Sequence, residues 1–411
     1  MMAAGIISSF LFLLLLGGAP GHIPARHMTP DVILSETKDL NTPLCSRYKA
    51  SDRLTTAIPE ILRLQLRMTA GGAALYTPGD DTSHIITPSP PDSLSVLLFA
   101  GFRVERLTVT APRGSSLNGR TGRKNTHLIT LADGALRVDG NEMTSCTIIP
   151  PDDGVLELFM GERRKRLRGM LTVTAGNERL AIVGRMALRD YLAAALGTET
   201  SASEPMEYLI ALSTLQRNYA VAHSRRHAPD ADLCDVTHCQ VADFSRVSSR
   251  LYAAVDRAMG ITLQSGDALP CYYSANCGGS TLTPGQIWRS EEPGYSSVNC
   301  SHCSNSRRYR WERTIQATPE VEAMLRNAPA PPFINDDFKI GLGRIAGFNK
   351  VLSNTIDRIE RRGRNYLLAG RGFGHRVGLC MEGASNLAGH GRSAADILRF
   401  YFPSAQVRVQ P

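Results

Sequence analysis

Two neighbouring groups of residues in this chain have types that can do chemistry. Glu199 is a carboxylate that follows a short alanine-rich segment, and Cys234, His238 and Cys239 lie together in a loop downstream of it. A glutamic acid can donate and accept protons. Thiolates and imidazoles are the usual ligands of zinc. One carboxylate near a cluster of metal ligands indicates an enzyme.

The elements around Glu199 are predicted to be two helices. Residues 188–196 have helical spacing, and Gly197 is positioned to stop that helix because glycine takes the left-handed conformation at low cost. Pro205 fits the first turn of the next helix, which Ser203 would cap. Glu199 is therefore predicted to lie in a tight loop, where two rigid elements fix its backbone as a proton donor requires.

General acid catalysis of glycosidic cleavage needs a carboxylic acid that stays protonated near neutral pH. Burial, or the negative charge of Glu204 and Glu207, would favour that form of Glu199. Most glycoside hydrolases pair two carboxylates across the bond, and spacing alone identifies no second partner here. Residue type alone would make Glu199 a solvated loop residue.

A metal site is predicted from four side chains, His227, Cys234, His238 and Cys239. Two thiolates and two imidazoles complete a tetrahedral zinc shell, and a filled shell of four protein ligands is normally structural. His223 is an alternative fourth ligand to His227. A disulfide between the two cysteines is the competing interpretation.

A glycine-rich run around Tyr273, Ser274, Gly278 and Gly279 is predicted to line a binding site. Small residues let a substrate approach the backbone, whose N–H groups can hold sugar hydroxyls or N-acetyl oxygens. The competing interpretation is a β-turn. A second glycine-rich run, 370–384, contains His375 but lacks the strand, helix and acidic residue that a dinucleotide fingerprint requires.

The chain has nine cysteines, an odd number that leaves at least one unpaired. The β-turn interpretation of the first glycine-rich run includes a disulfide from Cys277 to Cys300 or Cys303 and is compatible with a binding site there. The pairing within the group that also includes Cys271 stays open. An alternative enzymatic hypothesis makes Cys277 a nucleophile with His375 as its base.

Composition places the chain among ordinary globular proteins. Its 411 residues exceed the usual size of one core, and 43% are hydrophobic. The formal net charge of +8 is carried by scattered clusters with no interleaved aromatic residues, so we expect no nucleic-acid partner.

Periodicity predicts an α+β fold in several parts. Residues 1–20 contain an uncharged apolar run typical of a signal peptide or anchor, which predicts an exported protein, and 21–92 read as a linker with a helix near 58–68. A domain at 93–407 would have a β-rich part at 93–185, a helical part at 186–260 and a glycine-rich β part at 261–407 that closes a cleft. The clearest hairpin joins 171–174 to 180–183, and a final helix is predicted near 394–401.

Four motifs, in order, resemble the SpoIID/LytB domain family over 93–407. They are centred on Glu199, on the run from Cys234 to Gln240, on Ser274 to Thr281, and on Gly370 to Ala384. The resemblance implies a lytic transglycosylase that cleaves peptidoglycan glycan strands between N-acetylmuramic acid and N-acetylglucosamine. One glutamate, Glu199, would act as acid and then base. It also implies a zinc ion that stabilises the loop. The residues placed at the substrate are Arg217, Tyr273, Ser274, Gly278, Gly279 and His375.

Some matched positions depart from the family pattern. Ile210 and Leu212 replace a lysine and a glutamine, Arg376 replaces a glycine, and Met381 replaces a glutamine. If those polar groups bind glycan, the substrate preference changes. The alternative function, implied by the LytB part of the family name, is a non-catalytic wall-binding modulator of an amidase, and a zinc-stabilised adhesion module is a further one.

Overall fold

The structure is a computed structural model that describes residues 91–328, 330–332 and 335–410. The predicted signal peptide and the predicted helix near 58–68 lie outside the described residues. Within the described ranges, no helix combines the length and the apolar character that crossing a membrane requires.

Twenty strands and eight α-helices make up the described residues. The strands are β1 (Ser93–Leu97), β2 (Arg106–Thr110), β3 (Ser116–Leu117), β4 (Arg120–Thr121), β5 (Thr126–Ala132), β6 (Ala135–Val138), β7 (Asn141–Met143), β8 (Ser145–Ile149), β9 (Val155–Met160), β10 (Arg163–Arg168), β11 (Met170–Ala175), β12 (Leu180–Ala187), β13 (Leu233–Cys234), β14 (Ile261–Gln264), β15 (Tyr273–Ser274), β16 (Arg310–Gln316), β17 (Ile356–Arg362), β18 (Asn365–Arg371), β19 (Leu379–Cys380) and β20 (Gln406–Val409). The helices are α1 (Leu188–Glu199), α2 (Met206–Ala222), α3 (Ser249–Ala258), α4 (Pro284–Trp288), α5 (Pro319–Arg326), α6 (Asp336–Ala346), α7 (Met381–Gly389) and α8 (Ala394–Tyr401). The α+β class is confirmed.

The amino-terminal part consists of two antiparallel-rich sheets. One has the order β13-β1-β12-β11-β8-β3-β4 and the other β10-β9-β2-β5-β6-β7. Strands β11 and β12 pair antiparallel, with Val173 opposite Ile182, so the predicted hairpin is confirmed. Buried and exposed residues alternate along these strands because successive side chains point to opposite faces of a sheet. The buried faces join one large apolar core.

The helical part is built around α2, which packs against α1, α3, α7 and α8. Helix α1 continues to Glu199, so the prediction that it stops at Gly197 is wrong. A Cβ on Gly197 would lie 3.0 Å from the Arg246 carbonyl oxygen and from Leu251 Cδ1. This glycine therefore allows close packing between elements instead of ending a helix, and Glu199 occupies the last turn of α1 and not a loop.

Helix α2 begins at Met206 with Pro205 at its N-cap, and no side chain caps it. The predicted cap by Ser203 is therefore wrong, because the Ser203 hydroxyl bonds to Ser201 instead. Helical spacing at 244–259 predicts one helix, but this segment divides into a short 3₁₀ turn, Phe244–Arg246, and α3, whose first turn is capped by Ser248. Helix α8 is found where the sequence predicts it.

The carboxy-terminal part brings the two glycine-rich runs together. Strands β15 and β19 pair in parallel, with Ser274 opposite Cys380. Beyond them, Gly278 has φ +63° and a Cβ there would lie 2.5 Å from the Gly372 backbone nitrogen. Gly372 has φ +77°, and its Cβ would lie 2.7 Å from the Asn276 carbonyl oxygen. Only glycine allows both the backbone conformation and this approach.

Arg376 joins the same two runs from inside. It is 1% exposed and has φ 68°, a conformation that suits the glycine of the family pattern. Its Nε donates to the Cys277 carbonyl (2.5 Å), its Nη2 donates to the Ser280 carbonyl (2.7 Å), and its Nη1 donates to Thr355 Oγ1. Burial lowers the pKa of Arg376 to about 10. This departure from the family pattern serves as a bridge between loops.

Replacement of Arg376 by leucine should lower the free energy of unfolding by about 3 kcal/mol, because the carbonyls and the hydroxyl that it satisfies would stay buried without a donor. Chemical denaturation at neutral pH measures this. Arg310→Leu on exposed β16 is the matched control and should change stability by less than about 0.5 kcal/mol. Equal midpoints for the two variants would show that the bridge is dispensable.

Candidate functional site

Glu199 lies at the end of α1 with only 6% of its surface exposed. Its charge acts on three tyrosines nearby: Tyr191 from α1, Tyr208 from α2 and Tyr273 from β15. Burial raises the pKa of each phenol, and the nearby charge of Glu199 raises it further. Buried Glu199 therefore lies near tyrosines of both helices and of the first glycine-rich run. Burial of this kind favours the protonated form of a carboxyl group.

Two buried amides complete these surroundings. Gln216 of α2 and Gln240 both lie beside the phenol of Tyr273. Tyr191 Oη donates to Gln240 Oε1 at 3.1 Å. Although close to Tyr273, Gln240 Nε2 and both amide atoms of Gln216 make no well-formed hydrogen bond within the described residues. Such atoms are costly to bury, and they could bind the hydroxyls or acetamido groups of a sugar.

The two carboxylates closest to Glu199 in sequence downstream have other partners. Glu204 Oε2 accepts from Ser385 Oγ at 2.5 Å, although its charge still reaches Tyr208. Glu207 binds Arg257 Nη2 at 2.6 Å and the backbone N–H of Ala394 at 2.9 Å. This ion pair weakens the expectation that the charge of Glu207 favours the protonated form of Glu199.

The four side chains predicted to bind a metal are brought together. The ligand atoms of His227, Cys234, His238 and Cys239 lie within 4.8 Å of one another. Cys239 Sγ is 3.4 Å from His227 Nε2 and 3.7 Å from His238 Nδ1, and Cys234 Sγ is 3.7 Å from the same Nδ1. Tetrahedral zinc bonds imply a sulfur–nitrogen distance of about 3.6 Å. The two cysteines are not joined by a disulfide.

His223, the alternative ligand, faces another way. Its ring stacks on Tyr219 with centroids 4.2 Å apart, and its Nδ1 lies 3.1 Å from the Tyr219 carbonyl. The geometry therefore favours His227. Buried Asp235 fastens the cluster to the β-rich part, since it accepts from the Phe99 backbone N–H at 2.6 Å and pairs with Lys165 at 2.9 Å. The loop that carries Gln240 is thus fixed at both ends.

The Arg217 side chain is buried and binds backbone carbonyl groups of neighbouring elements. Its buried guanidinium donates to the carbonyls of Ala258 (2.8 Å) and Ile261 (2.5 Å), at the end of α3 and the start of β14. Burial lowers its pKa to about 10. These contacts hold the helix pair together, and they give no support to the expected role of Arg217 in binding substrate.

The other predicted substrate residues divide into two groups. Tyr273 lies beside Glu199, and buried Ser274 has an Oγ without a hydrogen-bonding partner in the described ranges, which suits a role in binding. Gly278 contacts the second glycine-rich run, and a Cβ on Gly279 would lie 2.8 Å from Tyr309 Oη. The sequence predicts that these two glycines let a substrate approach. In the structure, the space beside each is occupied by another part of the protein.

His375 packs among aromatic rings. Its ring lies 5.1 Å from Trp288 and 6.4 Å from Tyr272, between centroids, and Nδ1 accepts from the Val377 N–H at 3.0 Å. Burial and the charge of Lys339 lower its pKa to about 4. The alternative in which His375 activates Cys277 is not supported, because Cys277 Sγ lies 3.5 Å from another thiol, that of Cys303.

Tyr208 and Gln216 are site residues that our sequence analysis missed. Both lie on α2, eight positions apart; Tyr208 is near Glu199, and Gln216 lies beside Tyr273. A signal was present, because polar residues at helical spacing interrupt a segment that is otherwise apolar.

Comparison with known proteins finds a family match in the part of the chain that contains Glu199. Residues 176–264 match the model of the SpoIID family, described as stage II sporulation protein. This segment is a SpoIID domain. The match includes Glu199 and the four-residue metal cluster and ends before the two glycine-rich runs. An uncharacterized protein of Brachyspira hyodysenteriae (strain ATCC 49526 / WA1) is 24% identical over 266 residues, which span 58% of this chain and 71% of that protein.

The SpoIID match links this chain to a family that is associated with the bacterial cell wall. The family acts on peptidoglycan and is linked to lytic activity against the cell wall. The buried carboxyl lies inside the matched residues, beside polar groups suited to sugars. The sequence match and the geometry therefore indicate the same location in the chain.

Stability should depend on pH through His375. Its folded pKa of about 4 lies below the ordinary value of 6.5, so the unfolded chain takes up this proton first as pH falls. The stabilisation is complete above pH 6.5 and is lost between 6.5 and about 4. Urea denaturation at pH 7.5 and pH 5 should show a smaller pH effect for His375→Gln than for the native protein. The exposed His390→Gln control should behave as native, and an unchanged pH effect in His375→Gln would contradict the assignment.

Proposed function

We propose that this chain is a peptidoglycan lytic transglycosylase in which Glu199 is the single general acid and base. The observation that carries the proposal is the burial of that carboxyl, near Tyr191, Tyr208 and Tyr273, at a position within the residues that match the SpoIID family. A proton donor for glycosidic cleavage needs such an enclosed position, because the proton must stay on the acid near neutral pH.

In the proposed reaction, Glu199 first donates its proton to the oxygen that bridges N-acetylmuramic acid and N-acetylglucosamine. The bond from the muramyl C1 to that oxygen breaks, and the Glu199 carboxylate then removes the proton of the muramyl C6 hydroxyl. The C6 oxygen attacks C1 and forms a 1,6-anhydro ring. One glutamate suffices because the sugar supplies its own nucleophile, and Glu199 ends the cycle protonated as it began.

The departures at positions 210 and 212 are compatible with catalysis. Ile210 and Leu212 are fully buried in the main core, and Met381 is 1% exposed. They replace polar groups with apolar packing and remove no exposed side chain from the surface. The amide atoms of Gln216 and Gln240, beside Tyr273, offer polar groups in their place.

We further propose that His227, Cys234, His238 and Cys239 hold a structural zinc ion. The residues fit the ion, since two sulfur and two nitrogen atoms lie at tetrahedral spacing. Four protein ligands fill the shell, so the ion would stabilise the loop and take no part in the reaction. The loop positions Gln240 against Tyr191. Export across the cytoplasmic membrane is part of the proposal because the peptidoglycan substrate lies outside it.

Glu199→Gln should lower the rate of glycan cleavage at least about a hundredfold, because the amide has no proton to donate. Mass spectrometry of products from purified glycan strands, with and without stem peptides, measures the 1,6-anhydro ends. Glu162→Gln in the exposed turn between β9 and β10 is the matched control and should cleave at the native rate.

The outcome also decides between the two functions. Native cleavage by Glu199→Gln protein would refute the proposed role of that residue. Glycan binding or amidase stimulation that is equal in both proteins, without anhydro products from either, would favour the modulator of an amidase.

Cys234→Ser should remove one zinc ion per chain and lower the thermal unfolding midpoint, because the hydroxyl is a poor zinc ligand and the loop loses its cross-link. Elemental analysis of the purified protein gives the metal content. Cys146→Ser, at an isolated buried thiol of β8, should keep the native zinc content. Unchanged zinc in Cys234→Ser would show that this cluster holds none.

A further inference from the structure

A second group of metal-ligating side chains lies among the glycine-rich runs. The sulfur atoms of Cys277, Cys300, Cys303 and Cys380 all lie within 4.8 Å of one another. Each of the four residues is fully buried. A disulfide from Cys277 to Cys300 or Cys303 is the alternative that the sequence left open. In the structure all four are thiols.

The four cysteines come from three separate segments. Cys277 follows β15, and Cys380 ends β19 and serves as the N-cap of α7. Cys300 and Cys303 lie in the connection before β16, with the two-residue spacing common in zinc sites. The parallel pairing of β15 with β19 brings Cys277 and Cys380 together. The group therefore crosses the junction between the two glycine-rich runs.

The spacing of the sulfur atoms fits one tetrahedral ion. Zinc–sulfur bonds of about 2.3 Å place the sulfurs of a tetrahedron about 3.8 Å apart. Cys277 Sγ and Cys303 Sγ are 3.5 Å apart, and every pair in the group lies within 4.8 Å. A disulfide needs about 2.05 Å and would use only two of the four. A four-iron cluster binds each thiolate to a different iron and so spreads the sulfurs more widely.

The surroundings suit negative sulfur atoms. The Cys277 backbone N–H donates to Cys380 Sγ at 3.3 Å, and the Tyr401 hydroxyl lies 3.3 Å from Cys300 Sγ, where it can donate to a thiolate. Such contacts orient and stabilise ligands around a metal. Gly383 makes room for the group, because a Cβ there would lie 2.9 Å from Cys300 Sγ.

We propose that Cys277, Cys300, Cys303 and Cys380 bind one zinc ion as a structural site with four thiolate ligands. Four protein sulfurs leave no open position, so the ion holds the loops and performs no chemistry. Binding releases the protons of the thiols and changes no oxidation state. The ion fixes Ser274 and Tyr273 through the short β15 strand, three residues before Cys277. The proposal is independent of glycan cleavage by Glu199.

The test uses the full chain with the first cluster disabled by Cys234→Ser. X-ray absorption at the zinc edge should then show one ion with four sulfur neighbours at about 2.3 Å and no nitrogen. Adding Cys303→Ser should remove that ion. Adding Cys271→Ser instead is the matched control, because Cys271 is buried nearby with its sulfur 4.0 Å from Tyr295 Oη and lies outside the group. This control should keep the ion.

The native protein provides a measurement that needs no variant. If both clusters are filled, the average shell should hold about three sulfurs and one nitrogen per ion, whereas the first cluster alone gives two of each. One ion with an all-sulfur shell would support the second site even if the first is empty. A two-sulfur, two-nitrogen average, bound iron in place of zinc, or a disulfide between any two of these cysteines by peptide mass analysis would overturn the proposal.

Discussion

The carboxy-terminal half of the site depends on one close approach of two backbones. Gly278 and Gly372 contact each other where a Cβ on either would overlap with main-chain atoms. On one side of this contact, Asn276 and Phe373 exchange backbone hydrogen bonds of 3.3 and 2.8 Å, and on the other Arg376 fills the interior. Since β15 leads into this junction, the position of Tyr273 beside Glu199 follows from it. The glycines thus act on the site indirectly, by fixing the strand that carries a wall of it.

The amino-terminal half of the site depends on the burial of α1 and α2. Helix α2 is enclosed by four other helices, and its polar residues Arg217 and Asn218 satisfy backbone carbonyls of α3 and β14. Glu199 therefore owes its low exposure to the main core. A carboxyl in a loop would exchange freely with water, whereas one in the last turn of a packed helix is held by many contacts. The same packing that fixes the position of Glu199 also shields its carboxyl group from water.

The sequence predicted those features that depend on residues close together in the chain. The hairpin of β11 and β12 and the helix α8 follow from alternation and helical spacing, and the metal cluster follows from residue types within a short segment. The sequence could not show why position 197 is a glycine, because the residue that a side chain there would meet, Arg246, is distant in sequence. Spacing also could not choose among pairings of the cysteines, since Cys380 joins the group only through the pairing of β15 with β19. Tyr208 and Gln216 were missed because the position of Tyr208 near Glu199, and of Gln216 beside Tyr273, depends on how separate elements pack.

The sheet of β16, β18 and β17 packs with α5 and α6 around a small apolar core of its own, separate from the main one. Units with separate cores open in separate cooperative steps, and the smaller one opens at lower free energy. Strand β18 continues directly into Gly372. The packing of this small core is therefore linked through β18 to the contact between Gly278 and Gly372, whereas α1 and α2, which hold Glu199, belong to the main core.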